Sequence, residues 1–170
     1  MKVKVTNCPD RDFKPYVEKA VLFFAKELIP NTRIRNNCQT VVRFNSNLKD
    51  FGSATVSGTN SKKEPRRFII EVHPGIEARN ILSTIAHEMV HIKQYIHGET
   101  NDQLSMWRGK KVDSDKVEYW IQPWEIDAYG REIGLFTKFA VKEKLWKVFE
   151  DIRNPDMDIE PIPLGWKTFP

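Results

Sequence analysis

A long helical pattern covers residues 77–97, and it limits the possible folds more than any other feature. Apolar residues recur within it at intervals of three or four, which predicts an amphipathic helix with one face in a core. Gly98 follows directly, at the position where a glycine typically ends a helix. The apolar positions are Leu82, Ile85, Met89, Ile92 and Ile96. Such a helix needs further elements to cover its apolar face.

The residues before this helix predict another helix and three short strands. Apolar residues at helical spacing predict a helix over residues 13–29. Residues 40–44 are rich in β-branched side chains, residues 52–57 are small and suit an edge strand, and residues 67–72 alternate in polarity. The segment 58–65 between the last two is polar and turn-rich, so we expect these two strands to form a hairpin.

The residues after the long helix predict a surface loop and one more helix. Residues 99–116 are mainly polar. Pro123 opens a final helical pattern that extends to about residue 151. Its apolar positions are Ile126, Ile133, Phe136, Ala140 and Leu145.

The last segment, residues 154–170, contains four prolines and is not expected to form a regular element. It is predicted to be either a strap packed by Trp166 and Phe169 or a mobile tail. The elements together predict a single α+β domain over residues 1–153, followed by this Pro-rich C-terminal tail.

The composition is typical of a globular protein. Of 170 residues, 40% are hydrophobic and 29% are charged, which excludes both a membrane-spanning and a disordered chain. The formal net charge of +4 is small and the basic pairs lie in turn-like sequence, so nucleic-acid binding is expected to be weak or absent. No signal peptide is visible, and Cys8 and Cys38 lack metal-ligand spacing. These features predict a cytoplasmic protein without membrane contact.

Residues 87–91 form a His-Glu-x-x-His motif within the long helical pattern. Residues four apart lie one turn above each other on a helix, so the imidazoles of His87 and His91 can bind one cation. Glu88 lies about 100° around the helix, which places its carboxylate beside the metal but outside the ligand shell. Zinc is the predicted ion, because it accepts imidazole and carboxylate ligands and keeps one position open. Glu88 is then the candidate general base.

A third protein ligand is expected, and Glu125 is the preferred candidate. It lies in the first turn of the last helix, where the helix dipole favours a carboxylate, and Ala128 on the same face permits close helix packing. His97 is the main rival. Gln94 is a good helix former, so the helix is expected to continue through His97, which then lies about 15 Å along the axis from His87 and cannot bind the same ion. Asp127 points away from Glu125 and is expected to be a solvated or capping acid.

Four aromatic residues near the motif admit two interpretations. Tyr119, Trp120 and Trp124 can wall the site, but a place in the core is favoured. Tyr95 shares the His91 side of its helix and can donate to an oxyanion, although packing is the expected role.

These motifs resemble the zincin metallopeptidases, most of all their SprT-like and ImmA-like branches and small phage-encoded relatives. The resemblance covers residues 52–132 and depends on the His-Glu-x-x-His motif together with the Glu-x-x-Ala that begins at Glu125. It implies a zincin-like fold, in which a small mixed sheet with a substrate-pairing edge strand lies against a zinc-binding helix and a C-terminal helix completes the site. It also implies His87, His91 and Glu125 as ligands and Glu88 as general base.

The sequence thus predicts a zinc metallopeptidase that hydrolyses peptide bonds in a protein or peptide substrate through a metal-activated water. Two alternatives stay open: a catalytically silent binding or regulatory protein, and a DNA-associated protein of the SprT-like kind. If the chain is phage-encoded, the host cytoplasm is the expected compartment. The oligomeric state stays open at this stage.

Overall fold

Four strands form a mixed β-sheet in the computed structural model, which describes residues 1–149. The sheet order is β1-β2-β4-β3, with β1, β2 and β4 parallel and β3 antiparallel to β4. The strands are β1 Lys2–Thr6, β2 Gln39–Phe44, β3 Gly52–Thr59 and β4 Pro65–Val72. The predicted small sheet and its hairpin are therefore confirmed, and β3 lies at an edge.

One face of the sheet carries the core. Alternate residues of β2 and β4 are buried, as a two-residue period requires when one face of a sheet is covered. Val42 pairs with Ile70 and Phe44 with Val72, so these buried side chains lie on the same face. Helices α1 (Lys14–Leu28) and α3 (Ala78–His97) pack there, α1 against β1 and α3 against β3 and β4.

The helix that bears the motif is confirmed. It ends at the predicted place, because Gly98 adopts a left-handed conformation with φ 65° and its N–H bonds to the carbonyl of Tyr95. It also packs against α4 (Pro123–Glu143). The motif therefore lies on a helix that contacts both the β3–β4 hairpin and α4.

The last helix differs from its prediction in two ways. It ends at Glu143 rather than near residue 151, because Lys144 turns left-handed with φ 53° and a 3-10 turn folds Leu145 into the core. Ile126 and Ile133, predicted as core positions, are 56% and 73% exposed. Seven residues apart, they share a stripe of α4 that does not face α3, whereas the predicted positions Phe136, Ala140 and Leu145 are buried.

Three short strands and one short helix were not predicted. Strand β1 was missed because its parallel pairing with β2 is a long-range contact. Helix α2 (Thr32–Asn36) does carry a local signal, since the side chain of Asn31 accepts a hydrogen bond from the N–H of Ile34. Within the predicted surface loop, β5 (Met106–Trp107) and β6 (Lys110–Lys111) form a small hairpin.

The predicted tail over residues 154–170, with Trp166 and Phe169, lies outside the described residues. Within residues 1–149, no helix has the length and hydropathy needed to cross a membrane.

Candidate metal centre

The structure brings together the three residues chosen as ligands. His87 and His91 project from one face of α3, and Glu125 projects from the first turn of α4. Each is at most 7% exposed. Their ligand atoms form the one group of potential metal donors found among the described residues, all within 4.8 Å of one another. Two imidazoles and a carboxylate are a donor set that suits zinc.

The distances within this group match a tetrahedral ion. The Nε2 atoms of His87 and His91 are 3.1 Å apart. The carboxylate oxygens of Glu125 lie 3.2 Å from Nε2 of His87 and 3.5 Å from Nε2 of His91. Zinc–ligand bonds near 2.0–2.1 Å give tetrahedral ligand separations of about 3.3 Å. A zinc ion therefore fits with little movement of these side chains.

Gln94 orients the ring of His91. Its Oε1 lies 2.9 Å from Nδ1 of His91, and its Nε2 donates to the carbonyl of Trp124 at 2.9 Å and to Asp127 at 3.2 Å. Because Trp124 O and the Asp127 carboxylate only accept, the amide nitrogen must face them and Oε1 must face His91. Nδ1 of His91 then carries the hydrogen, which leaves Nε2 free to bind a cation.

Glu132 orients the ring of His87 in the same way. Its carboxylate lies 3.2 Å from Nδ1 of His87 and also accepts a hydrogen bond of 2.6 Å from the hydroxyl of Ser83. Burial favours the neutral acid, but the hydrogen bonds with His87 and Ser83 keep the pKa of Glu132 below its usual value. An ionised Glu132 accepts from Nδ1 and aims Nε2 at the same point.

Glu88 is buried beside the ligands, on the side of the sheet. A Cβ added to Gly52, the first residue of β3, would collide with the side chain of Thr84 and lie 3.3 Å from Oε1 of Glu88. Only glycine thus lets the edge strand approach α3 so closely. Burial raises the pKa of Glu88 to about 7, although the positive charges of His91 and His87 oppose this rise.

The electrostatics of the centre favour a cation. Burial by itself lowers the pKa of His87, but hydrogen bonds with Glu125 and Glu132 outweigh it and raise that pKa to about 9. Burial likewise opposes the ionisation of Glu125, but its bonds with His87 and His91 lower its pKa to about 2. With Glu88 alongside, three carboxylates surround two imidazoles, and a divalent ion can take the place of the protons.

The aromatic prediction was correct for Trp124 only. Trp124 is fully buried, but Tyr119 and Trp120 are exposed in a 3-10 turn before α4 and line the site instead of the core. The hydroxyl of Tyr119 donates to Oε2 of Glu125 at 2.9 Å. Burial and the Glu125 charge raise the pKa of Tyr119, so it stays a neutral donor. Tyr95 is buried, as expected for packing, and also lines the site.

The two rival ligands lie elsewhere. His97 ends α3 and is exposed, because the helix continues through Gln94. Asp127 is neither solvated nor a cap: it pairs with Arg131 at 2.9 Å and with Lys93 at 3.5 Å while accepting from Gln94. Its carboxylate contacts Gln94, the residue that orients His91, and is not part of the group of potential ligand atoms.

Gln94 and Glu132 are site residues that the sequence analysis missed, and for Tyr119 it favoured the core over the site. A signal existed for Glu132, which lies seven residues after Glu125 and therefore on the same face of α4. Gln94 had been considered only as a helix former.

A cleft of about 650 Å³ opens above the centre. His87, Glu88, His91 and Glu125 form part of its lining, and residues 52–54 of the edge strand β3 form another part. Comparisons of the chain with protein-family models, with curated proteins and with solved structures found no match.

Replacing Gln94 by Leu is expected to weaken zinc binding about 10–100-fold, because His91 then loses the partner that orients its ring. The zinc affinity is measured by competition with a chromophoric chelator. Gln103→Leu makes the same change at an exposed position and should leave the affinity unchanged. An affinity of the Gln94 variant within twofold of the unmodified protein would show that the hydrogen bond has no positioning role.

Proposed function

We propose that this protein is a zinc-dependent metallopeptidase. The observation that carries the proposal is the convergence of His87, His91 and Glu125 at tetrahedral distances on the floor of a cleft, with Glu88 buried beside them. The resemblance of the motif to the zincins supports the same choice. The partners of the two imidazoles support it further, since they aim both Nε2 atoms at one point.

The chemistry proposed is hydrolysis of an amide bond by water. Bound zinc would lower the pKa of a water molecule and polarise the carbonyl of the bond to be cleaved. Glu88 accepts the proton of the attacking water and delivers it to the leaving nitrogen, so that an acid and an amine result. Burial raises the pKa of Glu88 above that of a solvated carboxyl group, which suits both steps because a base and an acid of intermediate strength are needed in turn.

The edge strand supports a peptide as substrate. Strand β3 pairs with β4 on one side only, and among the described residues its other edge is unpaired. Its residues 52–54 line the cleft, so its free backbone groups lie next to Glu88. An extended peptide can add to this edge by backbone hydrogen bonds and place a peptide bond at the centre. The stretch at the cleft is thus the first part of the edge strand predicted over residues 52–57.

The protein purified without chelators is expected to contain about one zinc per chain, measured by elemental analysis. It should cleave members of an unbiased peptide library, lose this activity with a chelator and regain it with zinc. A protein that neither contains a stoichiometric transition metal nor takes one up would refute the proposal.

The zinc affinity is expected to rise with pH up to about 9. The raised pKa of His87 means that its ring holds a proton below that pH, and zinc must displace the proton to bind Nε2. For each proton that zinc must displace, the apparent zinc affinity falls about tenfold for every pH unit below the pKa of the group that holds the proton. Glu125, with a pKa of about 2, stays ionised throughout and contributes nothing to this slope. Affinity measurements at several pH values test the prediction, which a flat profile would contradict.

A further inference from the structure

Aromatic rings form a continuous wall from the metal centre to the mouth of the cleft. The ring of Tyr129 lies 4.5 Å from that of His87, and the ring of Trp120 lies 5.2 Å from that of Tyr129. Tyr119 is the third ring of the wall, 5.3 Å from Trp120, and its hydroxyl donates to Glu125. The three aromatic residues come from the 3-10 turn and the first turns of α4, and all of them line the cleft.

These rings are exposed to solvent, and exposed apolar surface does not stabilise the fold. Trp120 is 67% exposed, and Phe51, which enters the cleft from the start of β3, is 65% exposed. Single exposed apolar residues are common on protein surfaces, but a contiguous group at the mouth of a cleft marks a binding surface. The wall begins at a candidate ligand, and its next two rings follow at steps of 4.5 and 5.2 Å, so a large side chain next to the reacting bond can reach it.

We propose that the cleft selects polypeptides with a large apolar side chain, above all an aromatic one, next to the bond that is cleaved, and that Trp120 provides this selectivity. The proposal rests on the metallopeptidase function and specifies its substrate class. The edge of β3 binds the backbone of the peptide, which is common to all sequences. The wall contacts the side chain and therefore discriminates between sequences.

Trp120 is the best residue to test. It contacts both Tyr119 and Tyr129, which themselves contact the candidate ligands, so Trp120 is the outer part of the wall. Because it is largely exposed, its replacement by Ala should leave the fold and the zinc content unchanged. Its neighbour Ile121 is a matched control, since it is 59% exposed but does not line the cleft.

The first experiment compares kcat/KM for peptides that differ only by Phe or Ser at each position flanking the cleaved bond. The zinc-loaded protein should prefer Phe at one of these positions by at least about tenfold, the scale set by burying a large apolar side chain. Trp120→Ala should remove most of this preference, and Ile121→Ala should keep it. Equal rates for Phe and Ser peptides, or a full preference in Trp120→Ala, would overturn the inference while leaving the peptidase function intact.

A second experiment measures binding without turnover. The same peptides are titrated into zinc-loaded Glu88→Gln protein by calorimetry, with and without the Trp120 replacement. Tighter binding of the Phe peptides that depends on Trp120 supports the selectivity even if no peptide is hydrolysed. If no peptide is hydrolysed and no such difference in binding is measured, both the proposed function and this inference fail.

Discussion

Glu88→Gln is expected to reduce kcat/KM for peptide hydrolysis at least about 100-fold while leaving the zinc content and the melting temperature close to those of the unmodified protein. Glutamine has nearly the same size and still forms hydrogen bonds, but it cannot accept the proton of the attacking water. Glu88 is not a ligand in the proposed site, so the metal should stay. The measurement is steady-state hydrolysis of a cleaved peptide, with elemental analysis of the same sample.

The pH profile gives a second readout of the same residue. Burial raises the pKa of Glu88 to about 7 when no ion is bound, and the charge of a bound zinc ion would lower it again. A base must be ionised to accept a proton, so the rate of the unmodified protein should fall as the pH drops through the pKa of Glu88 in the zinc-loaded protein, and the residual rate of Glu88→Gln should lack that step.

The control for this variant is Glu118→Gln, which makes the same change at an exposed position shortly before α4. It should keep normal activity. Near-normal turnover by Glu88→Gln would show that another group is the base.

Glu125→Ala is expected to abolish hydrolysis and to weaken zinc binding more than about 100-fold. Loss of a residue that only hydrogen-bonds to a ligand weakens metal binding about 10–100-fold, and loss of a ligand itself should have a larger effect. The carboxylate of Glu125 lies within 3.2–3.5 Å of both Nε2 atoms, so its removal takes away one of three ligands. It also leaves the hydroxyl of Tyr119 without its acceptor. Zinc affinity and activity are measured on the same preparation.

His97→Ala is the matched control, because His97 is the rival ligand that the motif suggests. It is exposed at the end of α3, and its removal should leave zinc affinity and activity almost unchanged. Loss of zinc in His97→Ala together with its retention in Glu125→Ala would mean that the chain leaves the helix near Gln94 and that the third ligand is a histidine.

Local patterns in the sequence were sufficient for the elements that need only near neighbours. The long helix and its end at Gly98 followed from apolar spacing and a terminal glycine, and the β3–β4 hairpin followed from two short strands around a polar turn. The alignment of His87 with His91 requires only a continuous helix. The choice of Glu125 over His97 had the same local basis, since a helix that continues through Gln94 keeps His97 too far from His87 to bind the same ion.

Tertiary structure alone decided which residues surround those imidazoles. Glu132 meets His87 across 45 positions of sequence, and Gln94 meets Asp127 across 33, because the segment between α3 and α4 returns the chain to the same face. The path of that segment depends on how its ends pack, which local propensity does not encode. The same packing placed Trp120 at the mouth of the cleft rather than in the core. Spacing therefore determined the two candidate ligands on α3, and the packing of α4 against α3 determined their partners and the wall beside them.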